Sequence, residues 1–114
     1  MDLVFKLVDG AEWRAAEAAG VFAGSAADRA DGFIHFSSAA QAPGTAEKWF
    51  EGRKDLTLVA IDAGALGAAL KWEPSRGGEL FPHLYGPLPM SAVVWSRPLF
   101  PDEAGRHRFG DLTA

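Results

Sequence analysis

Cysteine is absent from the 114 residues, which removes disulfides, thiolate metal sites and thiol nucleophiles together. Long apolar runs are missing too, and nothing approaches the roughly 20 residues that a membrane-spanning helix needs. The opening "MDLVFKLVDG" has neither a basic leader nor a small-residue cleavage site, so a cytoplasmic protein without a membrane partner is expected. Positive charge is scarce: 11 Lys and Arg face 15 Asp and Glu, for a net charge of −4. The cations are scattered and form no stripe able to neutralise a phosphate backbone, which argues against nucleic acid as a partner. With one tyrosine and three histidines, any chemistry falls to His, Ser, Tyr, the acids and a few cations.

What is present is the composition of an ordinary folded domain. Hydrophobic residues make up 48% and charged residues 23%, averages that argue against disorder and fibrous repeats. A chain of this length supports one core, so residues 1–114 read as a single domain, with the core over about 3–100 and a loosely packed tail at 101–114. Oligomeric state is open between a monomer and a weak homodimer.

Along the chain, "LVFKLV" (3–8) reads as a strand with Leu3, Phe5 and Leu7 on one face and Val4, Lys6 and Val8 on the other. Asp9 stands three residues before Glu12, the spacing of a capping box, and good helix formers then run to a glycine stop, predicting a helix from Gly10 to Ala19. Residues 21–31 are rich in Gly, Ser and Asp without periodicity and read as a loop, followed by a short strand in "GFIHFS". Ser37 or Ser38 can cap a following helix, which Pro43 delays to near Thr45 and which ends around Glu51. "DLTLVAID" (55–62) is a nearly continuous apolar run, the pattern of a central strand covered on both faces. A strand at Ala69–Glu73 follows. In "ELFPHLYGPLP" (79–89), Pro82 predicts an edge, a bulge or an extended loop. "SAVVWSRPLF" (91–100) is the last strand. This order predicts an α+β fold in which two main helices pack on a mostly antiparallel sheet.

Three stretches carry candidate chemistry. Period-two alternation puts Phe33, His35 and Ser37 on one strand face, so an imidazole and a hydroxyl look into one cavity. In "LFPHLYG", Phe81, His83 and Tyr85 share a face if extended, a set able to stack a planar ring and fix it by a hydrogen bond. "KWEPSRGG" puts Lys71 and Glu73 on the face opposite Leu70 and Trp72, with Arg76 in the turn beyond. There a carboxylate can polarise a hydroxyl while the guanidinium grips a phosphate. Each stretch also has a purely structural reading: a satisfied core histidine, a surface turn plugged by aromatics, a solvated ion pair. His35, His83 and Glu73 lack the close spacing of metal ligands, so no metal is expected. Lys6 between Val4 and Val8 must either snorkel to water or meet an anion.

"FKLV" with "EWRAAEAAG", "DGFIHFSSAAQ", "FEGRKDLTLVAID", "LKWEPSRGGELFPHLYGPLP" and the closing "AVV" together resemble, in the same order, the bacterial family catalogued as domain of unknown function 952. That family is similar at fold level to the ADP-ribosyltransferase superfamily, whose small split β-sheet binds NAD in a central cleft. The resemblance implies a split-sheet domain binding NAD or a related nucleotide, with ADP-ribosyl transfer or NAD glycohydrolysis as its activity and no tightly held cofactor. It places His35, Glu73 and His83 in catalytic positions and Lys6, Ser37, Arg76 and Tyr85 against the ligand. Lys6 falls where many relatives carry His, and the superfamily's late-strand Glu has no counterpart on a late strand here. The alternative is a non-catalytic module for a small metabolite or a peptide.

Overall fold

The computed structural model describes residues 2–112. Its central sheet is built from β1 (Leu3–Asp9), β4 (Leu56–Asp62) and β8 (Val93–Leu99), antiparallel in the order β1-β4-β8. β4 is the middle strand and is covered on both faces, as its nearly continuous apolar sequence predicts. On one face Val4, Val8, Val59 and Ile61 pack with Trp13 and Ala16 of α1 (Gly10–Ala19). On the other, Phe5, Leu7, Leu56, Leu58 and Ala60 pack with Ala42 and Ala46 of α3 (Ala42–Trp49).

A second antiparallel sheet runs β3-β6-β5, from β3 (Ile34–His35), β5 (Leu70–Pro74) and β6 (Leu80–Leu84). The two sheets meet at one bridge, where Phe5 N–H donates to Ser37 O at 2.7 Å and Ser37 N–H returns to Phe5 O at 2.8 Å. A two-stranded ribbon, β2 (Val21–Phe22) with β7 (Leu88–Pro89), completes the strands. The fold is thus α+β with antiparallel sheets and few helices, and among the described residues no helix is long and apolar enough to cross a membrane.

The structure departs from the sequence reading in five places. Asp9 precedes α1, but its side chain makes no cap; it faces Arg53 at 3.7 Å. The real capping box lies in the stretch read as loop, where Ser25 and Asp28 exchange hydrogen bonds at the start of α2 (Ala26–Asp31). α3 begins at Ala42 and not near Thr45, because Pro43 occupies the first turn, where its missing N–H is not needed. Ahead of it Ser38 and Gln41 bond reciprocally, Gln41 N–H to Ser38 Oγ at 3.2 Å and Ser38 N–H to Gln41 Oε1 at 3.0 Å, so Ser38 works as a cap.

Pro82 sits in the middle strand of its sheet, against the expectation of an edge. Its carbonyl accepts from Phe36 N–H at 2.9 Å, and in an antiparallel strand a residue's N and O point the same way. The missing donor therefore faces β3, which pairs over two residues only. Finally, the segment after β8 is not loose. Phe109 and Leu112 are buried in the second core cluster, Arg97 donates to Phe109 O, and Gly52 N–H donates to Gly105 O at 2.8 Å.

Candidate functional site

The junction of the two sheets opens a cleft of about 560 Å³. Its wall combines Lys6 from β1, Asp28 and Asp31 from α2, His35 and Ser37 from and after β3, Trp49 from α3, Arg76 from the β5–β6 turn, and Phe81 and His83 from β6. Local register explains the convergence. His35 and His83 lie directly opposite in the β3–β6 ladder, so their side chains emerge side by side on one face. Their ring centroids are 5.6 Å apart and nearly perpendicular, with Phe33 stacked on His83 at 4.1 Å.

Asp28 is the hub of the cleft floor and is almost fully buried. Its Oδ1 accepts from Lys6 Nζ at 3.0 Å, from His35 N–H at 3.1 Å and from His35 Nδ1 at 2.6 Å; its Oδ2 accepts from Ser25 N–H at 2.9 Å. Burial opposes the carboxylate's charge. The His35 hydrogen bond, the Lys6 ammonium and the two backbone N–H groups outweigh it, holding Asp28 well below the usual carboxylate range. Lys6 is itself buried, so it meets an anion and does not snorkel. Burial pushes its ammonium down, against the pull of Asp28.

His35 Nε2 faces Asp31 at 2.9 Å. His35 thus has a carboxylate oxygen close to each ring nitrogen, with a hydrogen bond at Nδ1 and an ion-pair distance at Nε2. His83 is set differently. Its Nδ1 donates to Glu73 Oε1 at 2.9 Å, while Nε2 is buried with no hydrogen-bond partner. Tyr85 Oη donates to the same Glu73 oxygen at 2.8 Å. The hydrogen bonds from His83 and then Tyr85 hold Glu73 below its ordinary value, and donating to that anion pushes the Tyr85 phenol up.

The sequence-predicted residues therefore divide. Lys6, His35, Ser37, Arg76 and His83 line the cleft; Glu73 and Tyr85 share the sheet face but lie behind His83, outside the cleft wall. Tyr85 lies outside that wall, whose aromatics include Phe5, Phe36, Trp49, Phe50 and Phe81. Ser37 Oγ meets Thr45 Oγ1 at 2.9 Å, and since Thr45 also donates to Gln41 O at 3.2 Å, Ser37 supplies the shared proton. Arg76 lies over the Phe81 ring at 5.0 Å and makes no ion pair among the described residues. No cluster of three His, Asp or Glu among the described residues is arranged to hold a metal ion.

The family model described as "Protein of unknown function (DUF952)" matches residues 7–96, most of the chain, from the second half of β1 into β8. The chain belongs to the DUF952 family. Its fold is similar to the crystal structure of protein CC0527 from Caulobacter crescentus, at 52% identity, TM-score 0.92 and 96% coverage of each chain. The solution NMR structure of CC0527 is similar at TM-score 0.87 and 52% identity, covering 97% of this chain and 96% of that one. No curated protein matches the chain.

In this DUF952 protein the residues that sequence reasoning missed are Asp28, Asp31, Trp49 and Arg53. The first two lie in a six-residue helix, too short for apolar periodicity to register. One signal was available: "SAAD" at 25–28 has the spacing of a capping box.

Proposed function

We propose that the cleft binds NAD or a related nucleotide. The reading rests on one observation: an unmatched cation, Arg76, and His83, whose buried Nε2 has no hydrogen-bond partner, line the same concave space. A buried acceptor left unpaired costs about 1–3 kcal/mol, a cost that a ligand hydroxyl or amide N–H removes. Its volume of about 560 Å³ falls in the range of small-molecule sites. Arg76 contacts the phosphates, the exposed Trp49 offers a face for a planar ring, and Ser37 presents an oxygen that accepts. If bond cleavage occurs at a ribosyl carbon, as in ADP-ribosyl transfer or glycohydrolysis, the transition state needs an anion nearby. Glu73 is turned toward His83 and Tyr85, so in this reading Glu73 orients His83 and the half-exposed Asp31 supplies the charge.

The test is calorimetry or ligand-observed NMR with NAD and ADP-ribose. Binding is expected, weakened about tenfold or more by Arg76→Ala, as for loss of a charge-assisted phosphate contact. No binding at millimolar concentration overturns the nucleotide reading. A second reading, a non-catalytic binding module, is favoured by the absence of Glu73 from the cleft wall. Binding without release of nicotinamide selects it.

A further inference from the structure

The two cleft histidines have different polar surroundings. His35 has a carboxylate at each nitrogen, Asp28 hydrogen-bonded to Nδ1 at 2.6 Å and Asp31 within 2.9 Å of Nε2. His83 is gripped at one nitrogen only: Glu73 fixes the proton on Nδ1 and leaves Nε2 as a lone pair on the far side of the ring. The rings are 5.6 Å apart on one sheet face. One imidazole flanked by carboxylates at both nitrogens and a second with one ring nitrogen left unpaired give a site the two different partners that an acid and a base require. Asp28 is locked in place by Lys6 and the Ser25 cap, whereas Asp31 is more than half exposed and free to yield Nε2 of His35 to a ligand.

We propose that His83 and His35 form a general base and general acid pair that cleaves a phosphodiester of a ribonucleotide, with Arg76 on the phosphoryl group. The proposal rests on the nucleotide reading of the cleft and adds a reaction to it. The pairing selects the reaction class. A leaving alkoxide needs a proton at the moment the nucleophile loses one, and an acid and a base about one phosphoryl group apart serve both demands. A departing ring nitrogen that is already cationic, as in glycosidic cleavage of NAD, needs no acid. The guanidinium favours a phosphate ester over an uncharged one.

For a 2′,3′-cyclic phosphate the step balances as follows. A water O–H gives its proton to His83 Nε2 as the oxygen bonds to phosphorus. The P–O bond to one ribose oxygen breaks, and its electron pair takes the proton from His35 Nε2. His83 leaves the step protonated and His35 neutral; exchange with solvent returns one proton to His35 and removes one from His83. The titratable and charged groups around the pair are Glu73 and Lys71 from β5, Tyr85 beyond β6, Asp28 and Asp31 from α2, and Lys6 from β1.

The experiment follows adenosine 2′,3′-cyclic phosphate with the full chain by ³¹P NMR from pH 5 to 9. The expected result is hydrolysis to a monoester with a bell-shaped pH profile, falling by about 100-fold or more in each of His83→Gln and His35→Gln. In parallel, ¹⁵N NMR of the wild-type imidazoles at neutral pH reads the protonation pattern without any variant. Nδ1–H alone is expected on His83 and both protons on His35. Binding of NAD or the cyclic nucleotide without hydrolysis at any pH overturns the acid–base pair and leaves the nucleotide reading standing. An Nε2–H tautomer on His83 overturns the pair as well. Failure of every nucleotide to bind overturns both.

Discussion

Asp28 shows how much one side chain can organise. It ties the first strand to the second sheet through Lys6, fixes the His35 ring and closes the cap of its own helix. Removing one partner of a buried ion pair leaves an uncompensated charge, at about 3–5 kcal/mol. Asp28→Asn and Lys6→Met are each expected to destabilise on that scale, and the double variant by clearly less than the sum. Urea denaturation of the four proteins in a double-mutant cycle checks this. The acid dependence follows from the direction of the Asp28 shift. Its folded value lies below the unfolded one, so the unfolded chain takes up the extra proton first as pH falls. The contribution is complete above about pH 5 and is lost progressively as pH drops through the carboxylate range toward the folded value. Asp28→Asn should therefore flatten stability against pH between about 5 and 2, measured by circular dichroism across that range. At this scale the sequence made Lys6 visible as a misfit among valines. Its partner was invisible, because a contact across 22 positions leaves no local trace.

The elements differ in how far their own sequence specifies them. β1, α1 and β4 are fixed by composition and punctuation: a strand-length run in 3–8 that is apolar but for Lys6, strong helix formers up to the left-handed Gly20, and the nearly continuous apolar run of 56–61. α2 is specified by its ends alone, the Ser25 capping box and the left-handed Gly32. Such a helix depends on its cap, and Ser25→Ala is expected to cost about 1 kcal/mol. Because Asp28 and Asp31 ride on this helix, the same change should speed hydrogen exchange at residues 26–31 and at His35 N–H while leaving the β4 amides protected. Uniform acceleration would count against a local role for the cap. Pro82 was legible as a break in the ladder. The place of that break was not, since only the partner strand reveals that the missing donor faces the end of a two-residue pairing.

Over the whole molecule, two half-sheets share one bridge and two cores share one central sheet. The second core is finished from the C-terminal side. Phe109→Ala is expected to destabilise by about 3 kcal/mol, as for an aromatic removed from a core. Arg76→Ala should leave the melting temperature unchanged, which separates a binding defect from a folding one. A thermal melt of both variants makes the comparison. If Phe109→Ala melts like the wild type, the segment is ornamental, as its polar sequence suggests.

The sequence by itself determined the class of fold, the central strand and the two histidine faces, because strand periodicity and turn residues are local properties of the backbone. It also determined what the protein lacks: thiol chemistry and a basic stripe. Tertiary structure alone decided which of those faces meet. The β3–β6 register set His35 against His83, α2 brought two carboxylates to one imidazole, and Glu73 came to rest behind His83 and not in the cleft. The physical reason is that protonation and hydrogen bonding depend on distances of about 3 Å between groups far apart in sequence, and only the packed chain sets those distances.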